Sequence, residues 1–343
     1  MIETHGVKLH AAVQGEGPLT LMIHGFPGLW FSWRHQLAAL AAAGYRAVAI
    51  DSLGYGQSDR PTAPEHYDSN HMLKYMVGIL DHFARDKAFI IGQDFGSQYA
   101  WNMAVRASDR VMGVVGMVPY DFDFAGRGGA GSRSPTAAPA MRPSEMFAMM
   151  ARDHFAHVHY FQQVGPAETE LGARPRAFLA RLLHTLSGRG NYMDVWSKKA
   201  PPGGGYLDVL PEAPPLPWPW MSTAEFDYFV GQYEMVEPDL AFIGGLNSYR
   251  TADRNWVIGA PFADSDVEPP SLFICGAEDP VLKMLPPDTL EIQRRRLRDL
   301  RGTVIIPGAG HHVQQEQPGA TSAALVTFLN EVTRESGLSP GKR

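Results

Sequence analysis

Ile90-Ile91-Gly92-Gln93-Asp94-Phe95-Gly96-Ser97 reads as a buried strand running straight into a helix through a turn of the form G-x-D-x-G. Glycines on both sides of one acidic residue permit a tight, strained reversal. Such a turn lifts its central side chain above the carboxyl edge of a sheet, where open α/β sheets bind their ligands. Asp94 then presents a carboxylate, ionised at neutral pH, that can attack a saturated carbon in line and form an alkyl ester. A plain helix N-cap is the other reading of the same aspartate.

Upstream, Val7 to Gln14 alternates as a strand, turns at Gly15-Glu16-Gly17-Pro18 and resumes as the apolar run Leu19 to Ile23, a pattern that predicts an opening hairpin. A helix from Trp33 to Ala43, the strand Ala47 to Ile50, a helix around Met72 to Arg85 and the strand Ala88 to Ile91 follow. Downstream come a helix from Ser97 to Arg106 and the strand Val111 to Val118. This alternation predicts a mostly parallel sheet with right-handed crossovers and helices on both faces.

The rhythm breaks after Pro119. Residues 126 to 145 are rich in Gly, Ser, Ala and Pro, 145 to 187 have helical periodicity, and 201 to 219 carry too many prolines and glycines for any regular element. A further helix is predicted over Thr223 to Tyr233, and the buried-strand pattern returns at Ser271 to Cys275. The expected division is a core over 1–121, a helical insertion over 122–257 and a second core part over 258–343. That last part should hold a helix from Asp288 to Leu300, the strand Thr303 to Ile306 and a helix from Thr321 to Arg334.

Composition narrows the function. Of 343 residues, 45% are hydrophobic and 19% charged, which excludes a disordered or fibrous chain. A net charge of −6 disfavours nucleic acid as a partner. The single cysteine, Cys275, can form neither an internal disulfide nor a thiolate metal site, so a reducing cytoplasm is expected. No apolar run approaches the roughly 18 residues of a membrane span, and the first residues lack the pattern of an export signal.

Two later strands end in chemistry. Ile274-Cys275-Gly276-Ala277-Glu278-Asp279-Pro280 places an acid after one, and Pro307-Gly308-Ala309-Gly310-His311 places a histidine after the next. His311 is the candidate base that activates water against an Asp94 ester, with Asp279 orienting the imidazole. Glu278 is the competing acid, and Glu291, Asp121 and Asp123 are weaker rivals. Before the turn, His24-Gly25-Phe26-Pro27-Gly28 follows a buried strand, and the backbone amides of Phe26 and Phe95 form a natural donor pair for a tetrahedral oxyanion.

At these residues the sequence resembles the α/β-hydrolase superfamily, and within it the epoxide hydrolases. HGFPG at 24–28, DSLGYGQSDRP at 51–61, GQDFG at 92–96, AEDP at 277–280 and GAGHHVQQEQP at 309–318 match that family's blocks in order. Leu53 stands where the family often has arginine. The resemblance implies an α/β-hydrolase fold with a helical cap and conversion of a small-molecule epoxide to a vicinal diol. It also implies a cis bond at Phe26-Pro27, and it needs neither metal nor other cofactor. Tyr160-Phe161-Gln162 with Gly165 and Glu168 resembles the first cap block, and Leu246 to Arg250 with Asn255-Trp256 the second. Members of the family use two cap tyrosines to hold the epoxide oxygen. Tyr249 matches the second, whereas His157 occupies the register of the first. His157 is therefore the expected partner of Tyr249, with Tyr160 as the alternative, and an imidazole donor should weaken as pH rises through about 6.5. His24, Pro27, Tyr160 and His312 are the expected substrate contacts. A monomer or homodimer is expected.

Remaining features read as structural. Gly126 to Gly131 satisfies G-x-G-x-x-G but is followed by a Pro-rich stretch instead of a helix. Arg294, Arg295, Arg296, Arg298 and Arg301 share a segment with an apolar stripe, as a solvated helix face does. The pairs His157/His159 and His311/His312 lack a carboxylate at ligand spacing. A haloalkane dehalogenase, which shares the nucleophile, would want an indole N–H where Phe95 stands. A non-catalytic binding protein on the same fold would have no need to retain Asp94, Asp279 and His311 together.

Overall fold

The strand leading to Asp94 is the middle of a seven-stranded sheet in this computed structural model, which describes residues 1–120, 141–337 and 341. In chain order the strands are β1 (Ile2–Thr4), β2 (Val7–Leu9), β3 (Ala11–Gln14), β4 (Leu19–Ile23), β5 (Arg46–Ile50), β6 (Ala88–Gly92), β7 (Val111–Gly116), β8 (Ser271–Gly276) and β9 (Leu300–Ile306). The large sheet is ordered β3-β5-β4-β6-β7-β8-β9, antiparallel at β3/β5 and parallel elsewhere, while β1 and β2 form a separate hairpin. Every side chain of β4, β6 and β8 is buried, as expected of parallel strands covered on both faces.

The expected hairpin through 15–18 does not form. Gln14 pairs with Ala47, and β4 runs parallel to β5 through Leu19–Met22 and to β6 through Thr20–Ile23. The wholly apolar β4 belongs in the sheet interior, and the half-exposed β3 takes the edge. His10 also divides the predicted 7–14 strand, with Lys8 paired to Glu3 on one side and Ala11 to Ile50 on the other. At the other end the helix expected over 288–300 stops at Arg296, and Leu300 already belongs to β9, which is longer than predicted.

Helices α1 (Arg34–Ala42), α2 (Ser69–His82) and α3 (Phe95–Arg106) connect the first strands. Asp68 caps α2 by accepting the N–H groups of Asn70 and His71. The described part of the inserted stretch is helical: α4 (Pro143–Met150), α5 (His157–Tyr160), α6 (Pro166–Ala173), α7 (Pro175–Leu186), α8 (Tyr192–Trp196), α9 (Thr223–Glu234), α10 (Ile243–Arg250) and α11 (Ala252–Gly259). Its apolar residues form one buried cluster that also takes in Phe26, Leu29 and Tyr55 from the loops above the sheet. Then come α12 (Pro280–Met284), α13 (Thr289–Arg296), α14 (Val313–Glu316) and α15 (Pro318–Glu335). Among the described residues no helix is long and apolar enough to cross a membrane.

Candidate active site

Asp94 sits at the junction of β6 and α3 with φ 54° and ψ −123°, a conformation that non-glycine residues rarely adopt. The turn is held from three sides. A Cβ on Gly96 would lie 2.0 Å from the Ile23 carbonyl oxygen, so only glycine lets the turn lie against β4. The Ser97 hydroxyl donates to the Gly92 carbonyl and accepts the Met117 and Val118 N–H groups, tying the start of α3 to the end of β7. Gln93 donates its side-chain amide to the His311 carbonyl, joining the turn to the histidine loop.

Three carboxyl-end loops converge on the aspartate. The Phe26 N–H donates to Asp94 Oδ1 at 2.8 Å, and the Phe95 N–H supports the same carboxylate. The Phe26-Pro27 bond is cis. His311 Nε2 lies 3.4 Å from Asp94 Oδ2, and its Nδ1–H is shared between the two oxygens of Asp279 at 3.1 and 3.2 Å. The carboxylate therefore has one oxygen on the Phe26 N–H and the other facing the imidazole. Burial would push the Asp94 carboxyl up, but the hydrogen bond and charge of His311, with the two N–H groups, hold it below the usual range. Burial works against a charged His311 too, yet Asp279 and Asp94 overcome it and push its pKa up to about 10.

Among the rival acids, Glu278 pairs with Lys283 at the surface and Glu291 with Arg295. Asp121, Asp123 and the 126–131 glycine motif lie outside the described residues. Asp279 also caps α12 by accepting the Val281 N–H, and the Cys275 thiol points at its Oδ2 from 3.6 Å. Four of the five clustered arginines pair with acids: Arg295 with Glu291, Arg296 and Arg298 with Asp266, and Arg301 with Asp299, Glu331 and Glu335.

From the helical layer come Tyr249 and His157, whose rings meet edge to face at 5.5 Å. Tyr249 also packs on Phe95, Phe161 and Phe26, and its hydroxyl has no hydrogen-bond partner among the described residues. Burial, then the Asp94 charge, raises its pKa well above the ordinary phenol. Burial lowers His157 to about 4 against the opposing pull of Asp94, so the ring is neutral at physiological pH. An alkylation step that fades near pH 6.5 is therefore not expected of this site, because the desolvation of His157 moves its titration away. The two sequence blocks of the layer are locked together by a buried ion pair between Arg250 and Glu168, with Gln162 donating to the Tyr249 carbonyl.

Other expected contacts fall elsewhere. Tyr160 points away, its hydroxyl donating to Glu170, so it is not brought to Asp94. His24 is buried and used at both nitrogens: Nδ1–H donates to the Gly25 carbonyl and Nε2 accepts the Ser52 N–H. It braces the loop that carries the Phe26 amide instead of facing a ligand. His312 is buried against Trp220 with Nε2 unpartnered among the described residues, and burial followed by the His311 charge lowers its pKa to about 3.

Sequence reasoning missed Glu316. Its Oε2 accepts the Gly188 and Gly310 N–H groups at 2.7 and 3.0 Å and its Oε1 the His312 N–H, while the His311 N–H donates to the Leu186 carbonyl. One carboxylate thus fastens the histidine loop to the end of α7. Its signal was present in the block at 309–318, but not its partner more than a hundred residues earlier.

Residues 18–137 match the family model described as alpha/beta hydrolase fold. Epoxide hydrolase A of Mycobacterium tuberculosis is 36% identical over 334 residues, covering 96% of each chain. The chain belongs to the epoxide hydrolase family. An epoxide hydrolase of Caballeronia sordidicola is 35% identical across 96% of this chain and 93% of its own. The crystal structure of epoxide hydrolase A from Mycobacterium thermoresistibile superposes with a TM-score of 0.82 at 36% identity, covering 96% of this chain and 97% of that one. An epoxide hydrolase from an endophytic Streptomyces gives 0.85 at 34% identity, covering 97% and 95%. His157, expected from the resemblance in the register of the first cap tyrosine, lies beside Tyr249.

Proposed function

We propose that the protein hydrolyses an epoxide to a vicinal diol through an ester on Asp94. The observation that carries this reading is the setting of that carboxylate, with the Phe26 N–H on Oδ1 and His311 facing Oδ2. Oδ2 attacks an oxirane carbon as the C–O bond breaks, and Tyr249 and His157 hydrogen-bond the departing oxygen, which takes its proton from Tyr249. Esterification removes one of the two negative charges that raise His311. The imidazolium then releases its proton to restore Tyr249 and becomes the base needed next. Neutral His311 takes a proton from water as the oxygen adds to the ester carbon, and the oxyanion collects on Oδ1 against the Phe26 and Phe95 amides. Collapse expels the diol oxygen, which takes the proton of the Asp94 carboxyl, leaving carboxylate and imidazolium as at the start.

The helical layer over Asp94 serves as the cap, and its Phe26, Phe95 and Phe161 contacts around Tyr249 suit an apolar substituent on the oxirane. A single buried thiol suits a reducing cytoplasm. A monomer or homodimer suffices, because every group in this scheme comes from one chain. The test is intact mass spectrometry of His311→Gln mixed with a styrene-oxide-like epoxide. A gain equal to the whole epoxide, absent when Asp94 is also replaced by Ala, is expected. Native turnover by His311→Gln with no adduct would overturn the scheme.

A further inference from the structure

His157 is neutral, and a neutral imidazole carries one ring hydrogen, so its ability to donate to a substrate depends on which nitrogen holds it. Its Nδ1 lies 2.9 Å from the Tyr192 hydroxyl, which in turn lies 2.9 Å from the Tyr206 hydroxyl. We propose that Tyr206 and Tyr192 form a directed hydrogen-bond chain that fixes the His157 proton on Nε2, making both tyrosines positioning residues for ring opening. The inference rests on His157 being a donor, as read above.

The direction follows from counting hydrogens. Tyr206 is 2% exposed and Tyr192 5% exposed, and the Tyr206 hydroxyl has no partner but Tyr192 among the described residues. If Tyr206 donates to the Tyr192 oxygen, Tyr192 donates to Nδ1 and every hydrogen in the chain is satisfied. The reverse order puts the ring hydrogen on Nδ1, sends the Tyr192 hydrogen to Tyr206 and leaves the Tyr206 hydrogen stranded. The ring cannot rotate freely to escape this choice, being stacked on Tyr206 at 5.5 Å with 4° between planes and met edge-on by Tyr249. Tyr206 is itself anchored: its N–H and that of Leu207 donate to Glu170, the same carboxylate that takes the Tyr160 hydroxyl. Tyr160 is thus spent on holding the far end of the chain, and His157 is left at its near end.

The experiment compares Tyr192→Phe, Tyr206→Phe and His157→Phe in the full chain. Single-turnover alkylation and ester hydrolysis are timed separately, and the His157 ring tautomer is read by nitrogen-15 NMR, its signals assigned by their loss in His157→Phe. Tyr192→Phe removes the donor to Nδ1. It should shift the tautomer ratio by roughly 5–10-fold, the effect of one net hydrogen bond, and slow alkylation about twofold as the competent fraction falls toward about one half, with ester hydrolysis unchanged. Tyr206→Phe leaves the Tyr192 hydrogen nowhere to go but Nδ1, so it should disturb tautomer and rate much less. A slow His157→Phe alongside a native Tyr192→Phe, or equal losses in both tyrosine variants with the tautomer unmoved, would overturn the chain alone. Native alkylation by His157→Phe would overturn the donor reading beneath it.

Discussion

Replacing Asp279 by Asn removes a charge and little else. The amide oxygen can still accept the Val281 N–H that starts α12, so the variant should fold and melt within a few degrees of the native protein. The electrostatic loss is large. Unit charges 3.1 Å apart attract by about 5 kcal/mol at an effective dielectric constant near 20, equivalent to about 4 pKa units. His311, held at about 10, should then fall to the ordinary histidine value of 6.5 or below. The imidazolium that must form when water is deprotonated loses the same support, and ester hydrolysis should slow by about 10²–10⁴-fold. Alkylation, in which Asp94 itself attacks, should fall much less, so the ester accumulates. Rapid quenching with intact mass spectrometry gives both rates. Glu278→Gln is the control, because that side chain only pairs with an exposed lysine. Hydrolysis within about threefold of native in Asp279→Asn, or an equal loss in Glu278→Gln, would refute the reasoning.

Asp94→Ala should abolish turnover and still fold, and Asp94→Gly should melt above it, because glycine relieves a positive φ worth roughly 1–3 kcal/mol; the order of melting temperatures decides. In a single turnover in heavy-oxygen water the diol should carry no label and the enzyme should gain it; direct labelling of that first diol would exclude the ester. Stability should peak near pH 6.5. Below it, His157 and His312 bind fewer protons folded (pKa about 4 and 3) than unfolded (6.5), so stability falls with acid. Above it, the raised His311 contributes less as pH climbs toward about 10; melting curves at pH 5, 6.5 and 9 test both arms, and a monotonic trend would contradict them. Glu316→Gln should cost about 1–3 kcal/mol and reduce kcat, since its amide cannot accept all three N–H groups; an unaltered denaturation midpoint would show the seam to be dispensable.

The core strands from β4 onward, the Asp94 turn and the loops bearing Asp279 and His311 were legible, because each sits where a buried apolar run ends. What the sequence withheld depends on long-range packing. Edge or interior placement of β3 and β4 is decided by which run can be buried on both faces, and the turn at 15–18 carries no record of that. The neutrality of His157 comes from burial, which no local pattern encodes. Tyr192 and Tyr206 look like ordinary core tyrosines until the fold sets them against His157, 35 residues before the first of them. Tyr160 drew attention by its register, but its acceptor, Glu170, lies ten residues on in the next helix, and only the packing shows which way the hydroxyl faces.

The carboxylate of Glu316 stitches Gly188 of the helical layer to Gly310 and His312, and the Leu186 carbonyl takes the His311 N–H. If this root of the layer swung away like a lid, it would drag the base off the nucleophile. Opening at this root would therefore switch the site off until the seam closed again.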